Sequence, residues 1–205
     1  MKKVGLFFGT YNPIHVGHLV IANHLANYTE LDEVWLVVSP QNPLKKKDSL
    51  LQDYHRLALV RVAIEDSPKL KASDIEFSLP KPSYTSNTLA HINEKYPDYS
   101  FALIMGEDNL RTFHKWRNYE EILKNNQIYV YPRILTEQEK EANEIKAEVD
   151  NGVRNHQNVT MCDDVPVMKV SASFIRKAVK EKKDVSYLLT QPVFKYLTEM
   201  HFYEK

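Results

Sequence analysis

The residues with the most chemical potential stand at the start of the chain, in Val4-Gly5-Leu6-Phe7-Phe8-Gly9-Thr10-Tyr11-Asn12-Pro13-Ile14-His15-Val16-Gly17-His18. An apolar run of strand type ends in Gly9-Thr10 and a turn, after which His15 and His18 open an amphipathic helix. Side chains three apart on a helix share one face. At a helix N-terminus the outward backbone N–H groups attract anions. Glycine at 9 and 17 would let a bulky ligand approach the backbone closely. The pattern predicts a phosphate site furnished with two imidazoles. Taken alone, His-x-x-His on a helix is more often two half-exposed polar side chains, and no third ligand stands in sequence reach for a metal pair.

A second cluster, Val170-Ser171-Ala172-Ser173-Phe174-Ile175-Arg176, places hydroxyls before an apolar periodic run, the pattern of a helix N-cap. A first-turn arginine opposes the helix dipole, so Arg176 is explained if an anion binds there. Lys45-Lys46-Lys47 is by itself a solvated basic run, but after a strand at a ligand edge it would neutralise phosphates. Trp116 in isolation reads as packing, and Asp108 as a helix-start residue.

These groups need a scaffold, and the hydrophobic pattern supplies one. Buried strands are expected at Lys3 to Phe8, Val34 to Val38, Leu70 to Ile75, Phe101 to Met105 and Gln127 to Tyr131. Helices are expected at Val16 to Tyr28, Asp53 to Asp66, Ser86 to Tyr96 and Tyr119 to Leu123. Continuous apolar strands alternating with helices argue for an α/β fold, a doubly wound parallel sheet covered on both faces. In such folds ligands lie outside the carboxyl ends of the strands. Gly9-Thr10, Ser39 to Lys46, Gly106-Glu107-Asp108 and Tyr131-Pro132-Arg133 all fall at such ends, which points to one shared site.

With 205 residues the chain can bury a real core as one domain. Its 27 basic and 27 acidic side chains cancel, which argues against nucleic acid or a membrane surface as partner. One cysteine, Cys162, excludes an intrachain disulfide framework and fits a reducing, cytoplasmic setting; an inert buried thiol is expected. Met1-Lys2-Lys3 and the apolar run after it imitate a secretion signal, but the run breaks at Thr10-Tyr11-Asn12-Pro13 without a cleavage site. No stretch approaches the roughly 20 apolar residues of a membrane span. Thr136 to Asp150 is rich in Glu and Lys and reads as a solvated helix or insertion, and Asn151-Gly152 as a turn. Self-association is left open as a homo-oligomer.

The first stretch resembles the nucleotidyltransferase superfamily signature G-x-F-x-P-x-H-x-G-H, with Tyr11 where Phe is common. The second resembles its S-[ST]-[ST]-x-[IL]-R, with Ala172 in place of a hydroxyl and Ser173 where Thr is frequent. Further blocks resemble the nicotinate-nucleotide adenylyltransferases in particular. They are Ser39-Pro40-Gln41-Asn42-Pro43-Leu44-Lys45; Ser83-Tyr84-Thr85-Ser86-Asn87-Thr88-Leu89, with Asn87 for an aspartate; Gly106-Glu107-Asp108-Asn109-Leu110 with Phe113 and Trp116; and Pro192 to Tyr203.

The resemblance implies a Rossmann-like domain over 1–205, with a nucleotide-binding core at about 1–133, an insertion at about 134–157, and the second signature with small C-terminal helices at about 158–205. It implies adenylyl transfer from ATP to nicotinate mononucleotide, with Mg²⁺ carried mainly by the ATP phosphates and no dedicated protein metal site. By the same resemblance His18, His15 and Arg176 are the catalytic candidates, and Gly9, Thr10, His15, His18, Ser173, Phe174 and Arg176 line the ATP. Lys45, Thr85, Gly106, Asp108 and Trp116 would hold the acceptor, Trp116 stacking on its pyridine and Thr85 near its carboxylate. Three alternatives stand beside this reading. They are transfer to nicotinamide mononucleotide or phosphopantetheine, a nucleotide-binding regulator without chemistry, and, ranked last, the tRNA-charging chemistry of class I synthetases.

Overall fold

Apolar runs rich in Val, Leu, Ile and Phe form six strands, and the segments between them coil into helices that cover both faces. The computed structural model describes residues 1–40, 50–133 and 151–204. In chain order these hold β1 (Lys2–Gly9), α1 (Val16–Tyr28), β2 (Glu33–Val38), α2 (Asp53–Ala63), β3 (Leu70–Ser73), α3 (Thr85–Lys95) and β4 (Tyr99–Gly106). There follow α4 (Glu107–Arg111), α5 (Tyr119–Asn125), β5 (Ile128–Tyr131), α6 (Asn151–Arg154), β6 (Val159–Met161), α7 (Ala172–Lys180) and α8 (Gln191–Glu199). The strand order is β3-β2-β1-β4-β5-β6 and every pair is parallel. This is the doubly wound α/β architecture that the alternating pattern predicts.

Strand pleating sends successive side chains to opposite faces, and the core divides accordingly. Phe7, Leu36 and Ile104 join one cluster with Leu25 of α1, Leu57 of α2, Ile175 of α7 and Leu197 of α8. Leu6, Trp35 and Leu103 join the other with Leu89 of α3, Leu110 of α4, Ile122 of α5 and Val153 of α6. The C-terminal helices are therefore part of the first layer, and α8 is seated on α2, with His55 Nδ1 and the Tyr196 hydroxyl 3.0 Å apart.

Several boundaries depart from the sequence reading. Helix α2 stops at Ala63, short of Asp66, because the chain turns there: the Ser67 amide donates to the Ile64 carbonyl at 2.9 Å. Strand β3 ends at Ser73, and Ile75 belongs to a 3-10 turn, Ile75–Ser78. The sheet is also not complete at residue 133. β6 pairs with β5, and within the expected insertion Val153 is buried while Arg154 donates to Glu107 Oε1 at 2.9 Å. Asn151 and Gly152 open α6 instead of forming a turn. Three residues of strand carry too little periodicity to be seen in a sequence. The expected solvated stretch at 136–150 and the 41–49 segment with Lys45 and Lys46 lie outside the described residues. Cys162, just after β6, is the inert thiol expected: it is buried, and burial first, then Asp164 and Asp163, push its pKa up to about 11.

One buried cation holds the site end of the sheet. Arg56 of α2 has no exposed surface, and its guanidinium donates to the carbonyls of Thr10 at 2.6 Å, Ser39 at 2.8 Å, Leu51 at 3.0 Å and Pro40 at 3.3 Å. Asp53 Oδ1 completes the set at 2.6 Å. The chain leaving β1 and the chain leaving β2 are thus tied to one helix. Removing the guanidinium while its acceptors stay buried costs about 3–5 kcal/mol. Arg56→Ala should lower the urea-unfolding free energy by at least about 3 kcal/mol. A loss below about 1 kcal/mol would mean that water replaces the cation fully.

Candidate active site

The strand order reverses direction between β1 and β4, and the chain segments leaving these two strands open a crevice at their carboxyl ends. Phe7 pairs with Ile104, so Gly9 and Gly106, each two residues further on, end their strands level with one another. His15 and His18 follow β1, and Glu107 and Asp108 follow β4. The predicted groups therefore converge where this topology places ligands.

His15 is the N-cap of α1 and is only 6% exposed, with its Nδ1 buried. His18 lies one turn in, and the two rings stack with centroids 3.8 Å apart and planes 27° off parallel. The His15 backbone N–H donates to His18 Nδ1 at 3.3 Å. That bond makes Nδ1 the acceptor, which assigns the proton of a neutral His18 ring to Nε2. Burial first, and the nearby Arg133 cation second, lower the His15 pKa to about 4. Of the two stacked imidazoles, His15 is therefore held neutral.

The glycines have a different role from the one expected. A Cβ on Gly9 would lie 2.7 Å from the Tyr11 ring, and one on Gly17 would lie 2.7 Å from Val170 Cγ1. These faces are filled by protein, not kept clear for a ligand. Tyr11 has a positive φ of 46°, is 1% exposed, and packs edge-on to Phe7 and to His18 at centroid distances of 6.2 and 5.1 Å. Its hydroxyl donates to the Phe7 carbonyl at 2.5 Å. The aromatic residue at this point of the motif buttresses the His18 ring.

The second signature arrives from the far end of the sequence. Ser171 caps α7, accepting from the Phe174 amide at 3.2 Å, as the hydroxyl pattern predicts. Arg176 sits in the second turn, beyond the first-turn place read from the sequence. Its Nη1 donates to the Asn12 carbonyl at 2.8 Å across 164 residues, and its Nη2 donates to the Ser173 hydroxyl at 3.3 Å. Ser173 and Phe174 are exposed on the same helix start. Thr10, Gly17, His15, His18, Ser173 and Arg176 thus occupy one neighbourhood built around Asn12.

On the β4 side, Thr85 begins α3 and Trp116 follows the 3-10 turn Phe113–Lys115, its ring 5.4 Å from that of Phe113. The Arg117 guanidinium lies 5.1 Å over the Tyr84 ring, which brings the Thr85 and Trp116 segments together. Asp108 lies in the first turn of α4 and forms an ion pair with Arg133, whose charge also reaches His15. A Cβ on Gly106 would lie 2.5 Å from Asp108 Oδ1, so the Asp108 carboxylate packs over the face of this glycine. Asn87 is exposed on α3, whereas its neighbour Thr88 is buried and donates to Glu76 at 2.7 Å. Sequence reasoning placed Arg133 with the strand-end clusters but gave no role to Arg56 or Asn12, which act through contacts that sequence spacing does not encode. Among the described residues no group of three or more His, Cys, Asp or Glu side chains could hold a metal ion. No helix among them is long and apolar enough to cross a membrane.

The cytidylyltransferase-like family model matches residues 6–178. A probable nicotinate-nucleotide adenylyltransferase of Flavobacterium psychrophilum is 55% identical over 203 residues, covering 99% of this chain and all of its own length. One of Christiangramia forsetii is also 55% identical, covering 99% of both chains. The chain belongs to the nicotinate-nucleotide adenylyltransferase family. The Plasmodium falciparum nicotinic acid mononucleotide adenylyltransferase solved with NaAD has the same fold, with a TM-score of 0.78 at 19% identity, covering 100% of this chain and 98% of its own.

In this family member the neutral state of His15 has a thermodynamic consequence. Its folded pKa, about 4, lies below the usual 6.5, so the unfolded chain binds the extra proton between these values. The associated stability is complete above pH 6.5 and drains as pH falls toward 4. Relative to His15→Gln, the native chain should lose about 2 kcal/mol more between pH 8 and pH 5. Equal losses for the two proteins in paired denaturant titrations would refute the buried neutral imidazole.

Proposed function

We propose that this chain transfers the adenylyl group of ATP to nicotinate mononucleotide, giving deamido-NAD and pyrophosphate. The observation that carries the reading is the junction at Asn12, where Arg176 meets the turn that launches His15 and His18. The acceptor follows from membership of the family, and the closeness of the Thr85 and Trp116 segments supports it.

The chemistry asks little of the protein in proton transfer. A 5′-phosphate oxygen of the mononucleotide attacks the α-phosphorus of ATP, the α–β bridging P–O bond breaks, and its electrons leave with pyrophosphate. The nucleophile is already an anion, so neither a general base nor a covalent intermediate is required. Catalysis then rests on alignment and on donors aimed at charge as it builds on the leaving group. His18 Nε2–H supplies one such donor, and Arg176, His15 and the amides at the start of α1 support it. Gly9, Thr10, Ser173 and Phe174 line the ATP side. Gly106, Asp108, Thr85, Trp116 and Lys45 serve the acceptor. Mg²⁺, when bound with ATP, would be held mainly by the triphosphate oxygens and would supply neutralisation of their charge.

The direct test is pyrophosphate release with ATP and Mg²⁺, offering nicotinate mononucleotide, nicotinamide mononucleotide and phosphopantetheine in turn. Strong preference for the first is expected. Preference for another acceptor would move the specificity, and ATP binding without release would leave a nucleotide-binding regulator. His18→Gln should lower kcat by on the order of 100-fold while ATP affinity changes by no more than a few-fold. Equal effects on both would remove His18 from transition-state stabilisation. Trp116→Ala should raise the acceptor KM by on the order of tenfold through lost stacking, with the KM for ATP unchanged.

A further inference from the structure

The last residues of the chain return to the turn that opens the site. Beyond α8, Phe202 is buried against the His55 and Tyr196 rings, at centroid distances of 4.8 and 6.0 Å, which anchors the tail on α2. His201 and Tyr203 both adopt positive φ, 52° and 67°. Residues with side chains occupy that region only where their surroundings compel it. The two left-handed residues swing the Tyr203 ring inward, and its hydroxyl donates to Asn12 Oδ1 at 2.7 Å, across 191 residues of sequence. The same Asn12 oxygen accepts the Leu51 amide at 3.2 Å, and the Asn12 carbonyl accepts Arg176 at 2.8 Å. Burial raises the Tyr203 pKa, while Arg176 and Arg56 pull it the other way, so both cations of the site neighbourhood stand near this phenol.

We propose that Tyr203 is a positioning residue for adenylyl transfer: its hydroxyl holds the Asn12 side chain, and so sets where Arg176 meets the His15–His18 turn. The proposal rests on the adenylyltransferase reading of the site. Asn12 Oδ1 is an acceptor only, so a buried phenol that keeps its proton is the matching donor. Without that hydroxyl the Asn12 side chain loses its link to the C-terminal tail, and the turn whose carbonyl orients Arg176 is held less firmly. A catalytic donor displaced by a fraction of an ångström loses alignment in the transition state before it loses ground-state binding. Tyr203 need not touch either substrate for this to happen.

Tyr203→Phe is the sharpest test, because it keeps the ring and its packing. The expected result is a fall in kcat of on the order of tenfold, with KM for ATP and for the acceptor within about twofold and little change in Tm. In a double-mutant cycle, Asn12→Ala should remove the effect of Tyr203→Phe, since both cut one link. An unchanged kcat in Tyr203→Phe, or effects that multiply with Asn12→Ala, would overturn the proposal. Absence of turnover in the native chain would instead sink the function itself. In that case, or if Asn12→Ala fails to fold, the ligand-free imidazole NMR signals decide. Shifted His15 and His18 signals in Tyr203→Phe support positioning, and spectra identical to the native chain's refute it.

Discussion

Arg56 lies without exposed surface among four backbone carbonyls and one carboxylate, and the segments it joins are those that leave β1 and β2 at the site end of the sheet. Parallel strands end in carbonyl groups that find no further ladder partner, and burying them unpaired is costly. A loop packed under a helix cannot satisfy them with water. The guanidinium supplies five donors in a fixed fork, so a single side chain can serve several acceptors while fixing their relative positions. Thr10, whose carbonyl it takes, directly precedes the Tyr11-Asn12-Pro13 turn. The placement of His15 and His18 therefore begins with a charge buried on another helix.

From that anchor the site is assembled by convergence on Asn12. The turn is gripped from the sheet side through Thr10, from α7 through Arg176, and from the C-terminal tail through Tyr203. Each grip is a hydrogen bond with at least one partner shielded from solvent, where such bonds are least exchangeable with water. Aromatic packing adds direction: Tyr11 fills the space beside Gly9 and stands edge-on to His18. The two imidazoles are thus held in fixed positions by the protein itself.

The two signature glycines illustrate how a motif can be read correctly for the wrong local reason. Both are needed, yet the atoms that exclude a Cβ are Tyr11 at one and Val170 at the other. Their demand is internal to the scaffold, and it serves the site by allowing the Tyr11 ring and the α7 approach. Arg176 carries a similar lesson. Its placement close to a helix start marks it as unusual, but the structure gives it a carbonyl and a hydroxyl as partners, so its charge is oriented before an anion is present.

The sequence by itself determined the alternation of strands and helices, the bounds of α1, the parallel doubly wound sheet and the grouping of polar clusters at strand ends. It did so because those features follow from local periodicity and turn chemistry, which a short window of residues contains. The grouping of His15 with His18 and of Ser173 with Arg176 was legible for the same reason: their types and spacings recur as motifs. Only the tertiary structure decided that Arg56 is a buried hub, that β6 completes the sheet after residue 133, and that Arg133 reaches His15. It alone brought Tyr203 to Asn12 across nearly the whole chain. Those outcomes depend on contacts between segments far apart in sequence, whose partners are selected by packing geometry and by the need to satisfy buried polar groups, and neither leaves a periodic trace in the residues themselves.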